Sequence, residues 1–369
     1  MDFAMSRRNW RVEKVASPAA WAELAPRWNA LLAGSRSRSV FLTWEWLSAW
    51  AETYLGPNRR FWILTVERGD ELVGIAPWYL ERTRIFPFRL LKFLGTPEGG
   101  SDHLDVFAEP GAESAVAEAL AAYLFGSAEW DALWLSMIPS ESPFLVHWSR
   151  ICEAGGRQAE TTITSHAPVL RLPKTEADLE SDVLPPRRLG QLRQHSRRLA
   201  EVPGVEKVRY KDGEAAEHLD EFFDLYKRKG IALCDRPERL RELLGRFLGK
   251  IGGESGLRMD GFRAADRLVA AHISLTYGRT TSWLFNAVDK NFRPTISLGR
   301  LLIWDGIRGA VRENFEAFDF LRGREAFKFQ FAGEARALCQ LVSGRTRAAH
   351  FGLSAVRTAK GWSHVLRGA

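Results

Sequence analysis

Apolar and polar positions along this chain follow two periods, and the changes of period mark its elements. Residues 18–33 (PAAWAELAPRWNALLA) and 43–54 (TWEWLSAWAETY) repeat apolar residues every three or four positions, which predicts helices, with Trp46 and Trp50 one turn apart. Residues 60–82 (RFWILTVERGDELVGIAPWYLER) carry two apolar runs around Arg68-Gly69-Asp70, which predicts a hairpin with glycine supplying the turn. RLLKFLG and HLDVFA read as strands, 112–125 as a helix and WDALWLSMI (130–138) as a strand. SPFLVHWSRICEAGG reads as a helix stopped by Gly155-Gly156.

The order then partly repeats. Helices are expected at 186–200, 215–229 and 237–250, the last opening on a proline. Residues 256–288 read as three antiparallel strands separated by Ala265-Asp266-Arg267 and Gly278-Arg279-Thr280. A helix starting near Ser297, a strand at 316–321 (EAFDFL) and a strand ALCQLVSG complete the half. Each half runs helices, meander, helix and strand. The expectation is an α/β chain of two domains of similar design, 1–175 and 176–344, joined near 172–186, with a basic amphipathic tail at 345–369.

Composition narrows the class. The 369 residues exceed one small core, and 46% hydrophobic with 26% charged residues is the balance of a soluble globular chain. That excludes a disordered chain, a collagen and a disulfide miniprotein. No run of ~18 apolar residues predicts a spanning helix, and MDFAMSRRNWRVEK lacks the apolar centre of a signal peptide. Cys152, Cys234 and Cys339 show neither CxxC nor zinc-ligand spacing, so no metal site is expected. The expected compartment is the cytoplasm, including the inner face of a membrane.

Two excesses remain: a net charge of +7 and 14 tryptophans. The charge favours anionic partners, whether nucleic acid, CoA phosphates or a lipid surface. After Glu334 the chain has no acid but carries Arg336, Arg345, Arg347, Arg357, Lys360 and Arg367. Wound as a helix, 345–367 puts Phe351, Ala355, Trp362, Val365 and Leu366 on one face and Arg345, Arg357, Lys360 and Arg367 on the other. Such a helix either lies on an anionic membrane surface or docks on its own domain. A second cluster, Arg187-Arg188-Leu-Gly-Gln-Leu-Arg193-Gln-His195-Ser-Arg197-Arg198, has leucines on one stripe and no acid. It reads as a guanidinium comb for phosphates or as a solvated helix face.

Chemistry concentrates in 283–328. The strand WLFNAV leads through Asp289 to Arg293 and into a helix with Ser297 as N-cap and Gly299 in its first turn. The N–H groups of such an end suit a pyrophosphate, and Gly299 permits close approach. Neither a Walker A loop nor GxGxxG is present, and a plain capped helix is the competing reading. Gly306 and Gly309 inside this helix suggest close backbone packing.

Then follows Phe318-Asp319-Phe320-Leu321-Arg322-Gly323-Arg324-Glu325-Ala326-Phe327-Lys328. With the Ser-x-Gly helix start, this stretch resembles the acyltransferase domain of the CelD/FemAB-like branch of the GNAT superfamily. LVAAHISLTYG, GTPEGGSDHLDVFAEPG and the arginine-rich helix resemble it too. Departures are small: Arg324 is often acidic in the family, and Phe327 and His103 are often tyrosine.

The resemblance implies two tandem GNAT-like domains, each a mixed, largely antiparallel sheet flanked by helices, with the donor site in the second. It implies transfer of an acyl group from acyl-CoA or an acyl carrier protein to a primary amine. The expected acceptor is an amino lipid, such as the long-chain base of a ceramide-synthase-like reaction, or an amino sugar. The alternatives are a FemAB-like transferase using aminoacyl-tRNA and a non-catalytic lipid- or polysaccharide-binding module. Helix-turn-helix, zinc-finger and RNP motifs are absent, so other nucleic-acid partners are not expected.

An attacking amine must be neutral, and a free alkylamine has a pKa of ~10.4, so a base is needed. His272, facing the same way as Ala270 and Ser274, is a candidate base or a core histidine. Asp319, Glu325 and Lys328 are candidate catalytic residues or a salt-bridge network, and Arg322 adds a substrate contact. Arg293, Ser297, Leu298, Gly299 and Arg300 are candidates for binding the acyl carrier. Asp102, His103 and Asp105 are candidates for a cationic acceptor, or simply a polar loop.

Overall fold

The structure is a computed structural model that describes residues 10–15, 17–83, 88–228, 236–323 and 325–353. The chain forms two compact units. One comprises residues 1–97, 101–165 and 337–369, the other 98–100 and 166–336.

The first unit opens with β1 (Trp10–Val15), α1 (Pro18–Gly34), a 3-10 turn at Val40–Leu42 and α2 (Trp44–Tyr54). Both helices start as their sequences demand. The Ser17 hydroxyl accepts from Ala20 N–H ahead of Pro18, and the Thr43 hydroxyl accepts from Trp46 N–H. Next come β2 (Arg59–Phe61), β3 (Ile63–Arg68), β4 (Glu71–Ala76), β5 (Trp78–Arg82), β6 (Arg89–Phe93), β7 (Phe107–Ala108), α3 (Glu113–Gly126), β8 (Ala132–Pro139) and α4 (Pro143–Ala154). β1-β3-β4-β7 form one antiparallel sheet. β8, β6, β5 and β2 are neighbours in another, with β6 and β8 parallel.

Seven of the twelve largest fully buried side chains are tryptophans: Trp28, Trp46, Trp50, Trp62, Trp78, Trp130 and Trp148. All belong to this unit. Several indole N–H groups find inward acceptors, as Trp28 does on Leu42 O at 2.8 Å. These seven tryptophans, half of the chain's fourteen, are core material.

In the second unit lie β9 (Ala159–Arg171), whose first residues belong to the other unit, α5 (Glu176–Asp182), α6 (Pro186–Ala200), β10 (Val205–Lys211), α7 (Asp212–Glu217), α8 (Leu219–Lys227) and α9 (Pro237–Leu248). β11 (Ser255–Ala264), β12 (Arg267–Tyr277), β13 (Thr280–Val288), α10 (Leu298–Arg312), β14 (Ala317–Asp319) and α11 (Lys328–Phe331) follow. The last strand, β15 (Glu334–Gly344), belongs from Ala337 onward to the first unit, where Leu338–Gly344 pair with β8. β10 to β13 form an antiparallel meander, β13 pairs with β14 in parallel, and β14 pairs with the end of β9.

α10 covers one face of the meander. α8 packs on the other, with Tyr226 against Phe285, which pairs with Ile273 and so points away from His272. Helices and mixed, mainly antiparallel sheets thus build an α/β chain.

Several elements differ from expectation. The segment 172–186 is no bare linker, because α5 lies in it and Leu179 and Leu184 are buried. Helix 215–229 is split at His218, which stacks on Tyr210. Of HLDVFA only Phe107–Ala108 pairs as a strand. His103 takes a φ of 52°, and the Asp105 carboxylate turns inward, so the chain there is not extended. β1, β10 and β9 lie outside the expected elements; β1 and β10 are short and half exposed. Of the expected basic tail, residues 354–369 lie outside the described residues, as do Cys234 and Arg324.

Candidate functional site

β13 and β14 are joined through α10 as a parallel crossover. Their pairing lasts only three residues, Thr280–Ser282 with Ala317–Asp319, although β13 runs on to Val288. Beyond Asp319 the chain bends at Leu321, where φ is 55°. The two strands therefore part, and α10 begins beyond the wide end of the gap.

Ser297 occupies the N-cap position of α10 as predicted, but its hydroxyl makes no cap bond. Instead, its backbone N–H donates to His195 Nδ1 of α6 at 3.4 Å. Gly299 sits in the first turn, where an added Cβ would meet only Val288 Cγ2 at 3.9 Å. The helix start thus has an open face at Gly299. Arg293 and Arg300 are exposed beside it, and Leu298 is buried in the core.

A cleft of about 160 Å³ opens at this helix start, lined by Arg188, Gln191, Leu192 and His195 of α6, Arg300 of α10, and Gln330 and Phe331 of α11. Positions 188, 191, 192 and 195 form one helical face, while Leu189, Leu192 and Leu199 hold α6 to the core. Three segments distant in sequence converge here: the arginine-rich helix, the first turn of α10 through Arg300, and the helix that follows the Phe318–Lys328 stretch. Gln191, His195 and Gln330 were not predicted for this site. The i, i+3, i+4, i+7 spacing on α6 was the available signal.

The turn after β14 is braced from inside. The Lys328 side chain is buried, and its Nζ donates to Arg322 O at 2.8 Å and Leu321 O at 3.5 Å. It also pairs with Glu325 at 3.3 Å. Asp319 is buried and accepts from Leu321 N–H at 2.7 Å. Gly323 leaves room where a Cβ would collide with Glu325 and Lys328. Asp319 and Lys328 shape the turn carrying Arg322, and Glu325 keeps a side chain 53% exposed.

His272 does face α10 with Ser274, but it is sealed. Its side chain is 1% exposed and stacked on Trp283 with ring centroids 3.9 Å apart. A Cβ at Gly306 would meet His272 Cε1 at 2.8 Å, so the helix backbone rests on the imidazole. Asp260, on the adjacent strand, lies 3.5 Å from Nε2. Burial, opposed by Asp260 and assisted by Arg258 and Arg209, holds the imidazole pKa down to about 4. A ring enclosed in this way lacks the open face a general base needs. Arg209, Arg258 and Asp260 complete a buried ion network that pattern reading missed, because only strand register brings these residues together.

In the first unit, Asp102, His103 and Asp105 are buried, not displayed on a surface loop. Asp105 accepts from Ser142 Oγ at 2.7 Å, Ser37 Oγ at 2.8 Å and Val106 N–H at 2.8 Å. Burial outweighs these bonds and pushes its carboxyl up to about 7. A carboxyl enclosed by hydroxyls is a local structural hub and offers a cationic acceptor no open face.

Residues 186–329 match the family model described as an acetyltransferase (GNAT) domain. FemX is similar in structure, with a TM-score of 0.57 and 11% identity over 89% of this chain and 96% of that one. The L-PGS structure from Bacillus licheniformis gives 0.53 and 11% over 90% and 93%. A tandem GNAT protein from the clavulanic acid biosynthesis pathway gives 0.50 and 14% over 91% and 99%. No curated protein matches with significance. Likenesses this distant do not single out a CelD or FemAB branch, and they establish the architecture alone. This chain carries the fold of GNAT-superfamily acyltransferases.

Proposed function

We propose that this protein is an N-acyltransferase that moves an acyl group from acyl-CoA to a primary amine. The observation that carries this reading is the convergence of α6, the α10 start and α11 on one cleft that bears Arg188 and Arg300. Phosphates of the carrier suit Arg188, Arg300 and the open turn at Gly299. The pantetheine arm contains two amides, which suit the edge of β13 beyond Ser282, where β14 no longer pairs with it, as an added strand would. An acyl carrier protein, bearing the same arm, is the other donor of this kind.

In this reading the ammonium of the acceptor gives a proton to solvent water, and the neutral nitrogen attacks the thioester carbonyl, the new C–N bond replacing the C–S bond. The tetrahedral intermediate collapses, and the thiolate leaves and takes up a proton. Glu325, the exposed carboxylate of the turn, orients the amine. Asp319 and Lys328 hold the turn, and Arg322 contacts substrate. Arg293, Ser297 and Leu298 shape the approach to the helix start. His272 acts through α10 as a positioning residue. Two tandem GNAT-like domains are part of the proposal, with the carrier in the second. The acceptor is proposed to be an amino lipid, such as a long-chain base, or an amino sugar. Visits to an anionic membrane face suit the exposed arginines of α6. Among the described residues no helix is long and apolar enough to cross a membrane.

The test is a matrix of acyl-CoA donors against amino lipids and amino sugars, read by mass spectrometry and free-thiol release. Transfer to one acceptor class supports the proposal. Neither transfer nor a CoA-induced thermal shift would overturn it. Activity that needs charged tRNA and is abolished by ribonuclease would replace it with the aminoacyl-tRNA reading, which the exposed arginines also suit. Sedimentation with anionic liposomes tests the membrane component.

A further inference from the structure

We infer that His195 is a ligand-binding residue of the α6–α10 cleft, donating its Nε2–H to a phosphate of the carrier while its Nδ1 holds the N–H of Ser297, the N-cap residue of α10. This rests on the reading of the cleft as the site of a phosphate-bearing carrier, and it adds a donor that α10 does not supply.

The tautomer follows from the partner. A backbone N–H can only donate, so the ring atom facing Ser297 N–H must present a lone pair. The ring proton of neutral His195 is then on Nε2. The Ser297 hydroxyl makes no cap bond, and the imidazole of α6 holds the N-cap residue's own N–H. His195 also lines the cleft together with Arg188, Gln191, Arg300 and Gln330. Every one of these side chains carries N–H donors, so the polar part of the wall suits an oxyanion.

The charged groups acting on the ring are Arg198 on its own helix and Arg300 on α10, and with partial burial they lower its pKa. The neighbour across the cleft on α11, Gln330, is uncharged. These causes favour the uncharged ring, whose N–H is then on Nε2, opposite the Ser297 contact. A second proton would land on Nδ1, face the Ser297 N–H and break the contact. His195 thus links occupancy of the cleft to the seating of the α10 start.

The experiment is ¹⁵N NMR of histidine side chains in the full chain, with His195 assigned through His195→Phe. The expected spectrum at pH 7.5 is that of the Nε2–H tautomer. Addition of CoA or 3′,5′-ADP should move the Nε2 resonance. His195→Phe should bind CoA about tenfold more weakly, the loss of one hydrogen bond to a charged group. His195→Gln, which keeps an amide donor at the same reach, should retain binding within about threefold. Thermal unfolding of both variants checks that the fold persists. An Nδ1–H tautomer, or CoA binding unchanged by His195→Phe, would overturn the inference and leave the cleft reading standing. Failure of wild-type protein to bind either probe would remove both.

Discussion

Gly299 and Gly306 lie in the same helix, two turns apart, and the structure gives them opposite roles. Replacing either by alanine should add ~0.5–1 kcal/mol of helix preference, because glycine is the poorer helix former. At Gly299 nothing opposes that gain, since the new methyl meets only Val288 Cγ2 at 3.9 Å. At Gly306 the methyl meets His272 Cε1 at 2.8 Å and Trp283 Cζ3 at 3.3 Å. Those rings are stacked and buried and cannot swing aside, and overpacking of this kind costs ~1–3 kcal/mol.

Gly299→Ala should therefore be more stable than wild type by about 0.5–1 kcal/mol, while Gly306→Ala should be less stable by up to about 2 kcal/mol after the helix gain is subtracted. For a unit of this size, 1 kcal/mol corresponds to ~2–4 °C in Tm. Urea unfolding at constant m-value, with acyl transfer measured on the same samples, reads both effects. Gly299→Ala should also lose carrier affinity, because the methyl occupies the open face of the helix start. A Gly299→Ala protein that is destabilised, or a Gly306→Ala protein stabilised equally, would refute the packing argument. Unchanged affinity in Gly299→Ala would refute the placement of the carrier.

Other substitutions probe the remaining buried groups. Lys328→Met removes the donor to Arg322 O and Leu321 O, and should cost ~2–3 kcal/mol and most of the turnover, read by denaturant unfolding and the thiol-release assay. The Asp105 carboxyl, held at about 7 in the folded chain, keeps its proton where the unfolded chain has lost it, so stability should fall as pH rises from the ordinary carboxylate range to 7. Asp105→Asn should abolish that loss and exceed wild-type stability at pH 8 while matching it near pH 4, as pH-resolved melting would show. His272 has the opposite sign. Its folded pKa of about 4 lies below the usual 6.5, so the unfolded chain binds the extra proton and stability should drop as pH falls from 6.5 to 4. That window should shrink in His272→Phe, measured by the same melts.

Local pattern sufficed for much of the secondary structure. The hairpin around Gly69, helices α1, α2, α4, α6 and α9, and the three-stranded meander follow from apolar period, caps and turn residues. The close packing inferred at Gly306 and Gly309 also holds, with the backbone resting on His272 at one and on Arg209 and Arg258 at the other. These features depend on neighbours a few residues apart, or on glycine's lack of a side chain. The motif from Phe318 to Lys328 was legible as a unit because its partners lie within ten residues, although the lysine braces two carbonyls instead of facing outward.

What the linear pattern leaves open is which distant groups meet and which way they face. The sequence leaves His272 open between base and core histidine, and Asp102 and Asp105 between acceptor site and polar loop; tertiary packing encloses all three. The tryptophans read as suited to core, pocket or lipid, and burial in the first unit decides for the core. The cleft exists only because α6, α10 and α11 are brought side by side, and His195 reaches Ser297 across a separation of 102 residues. Helix period and turn chemistry are written in short-range sequence. Burial, electrostatic neighbourhood and the parting of β13 from β14 belong to the assembled chain, because each depends on contacts that no local window contains.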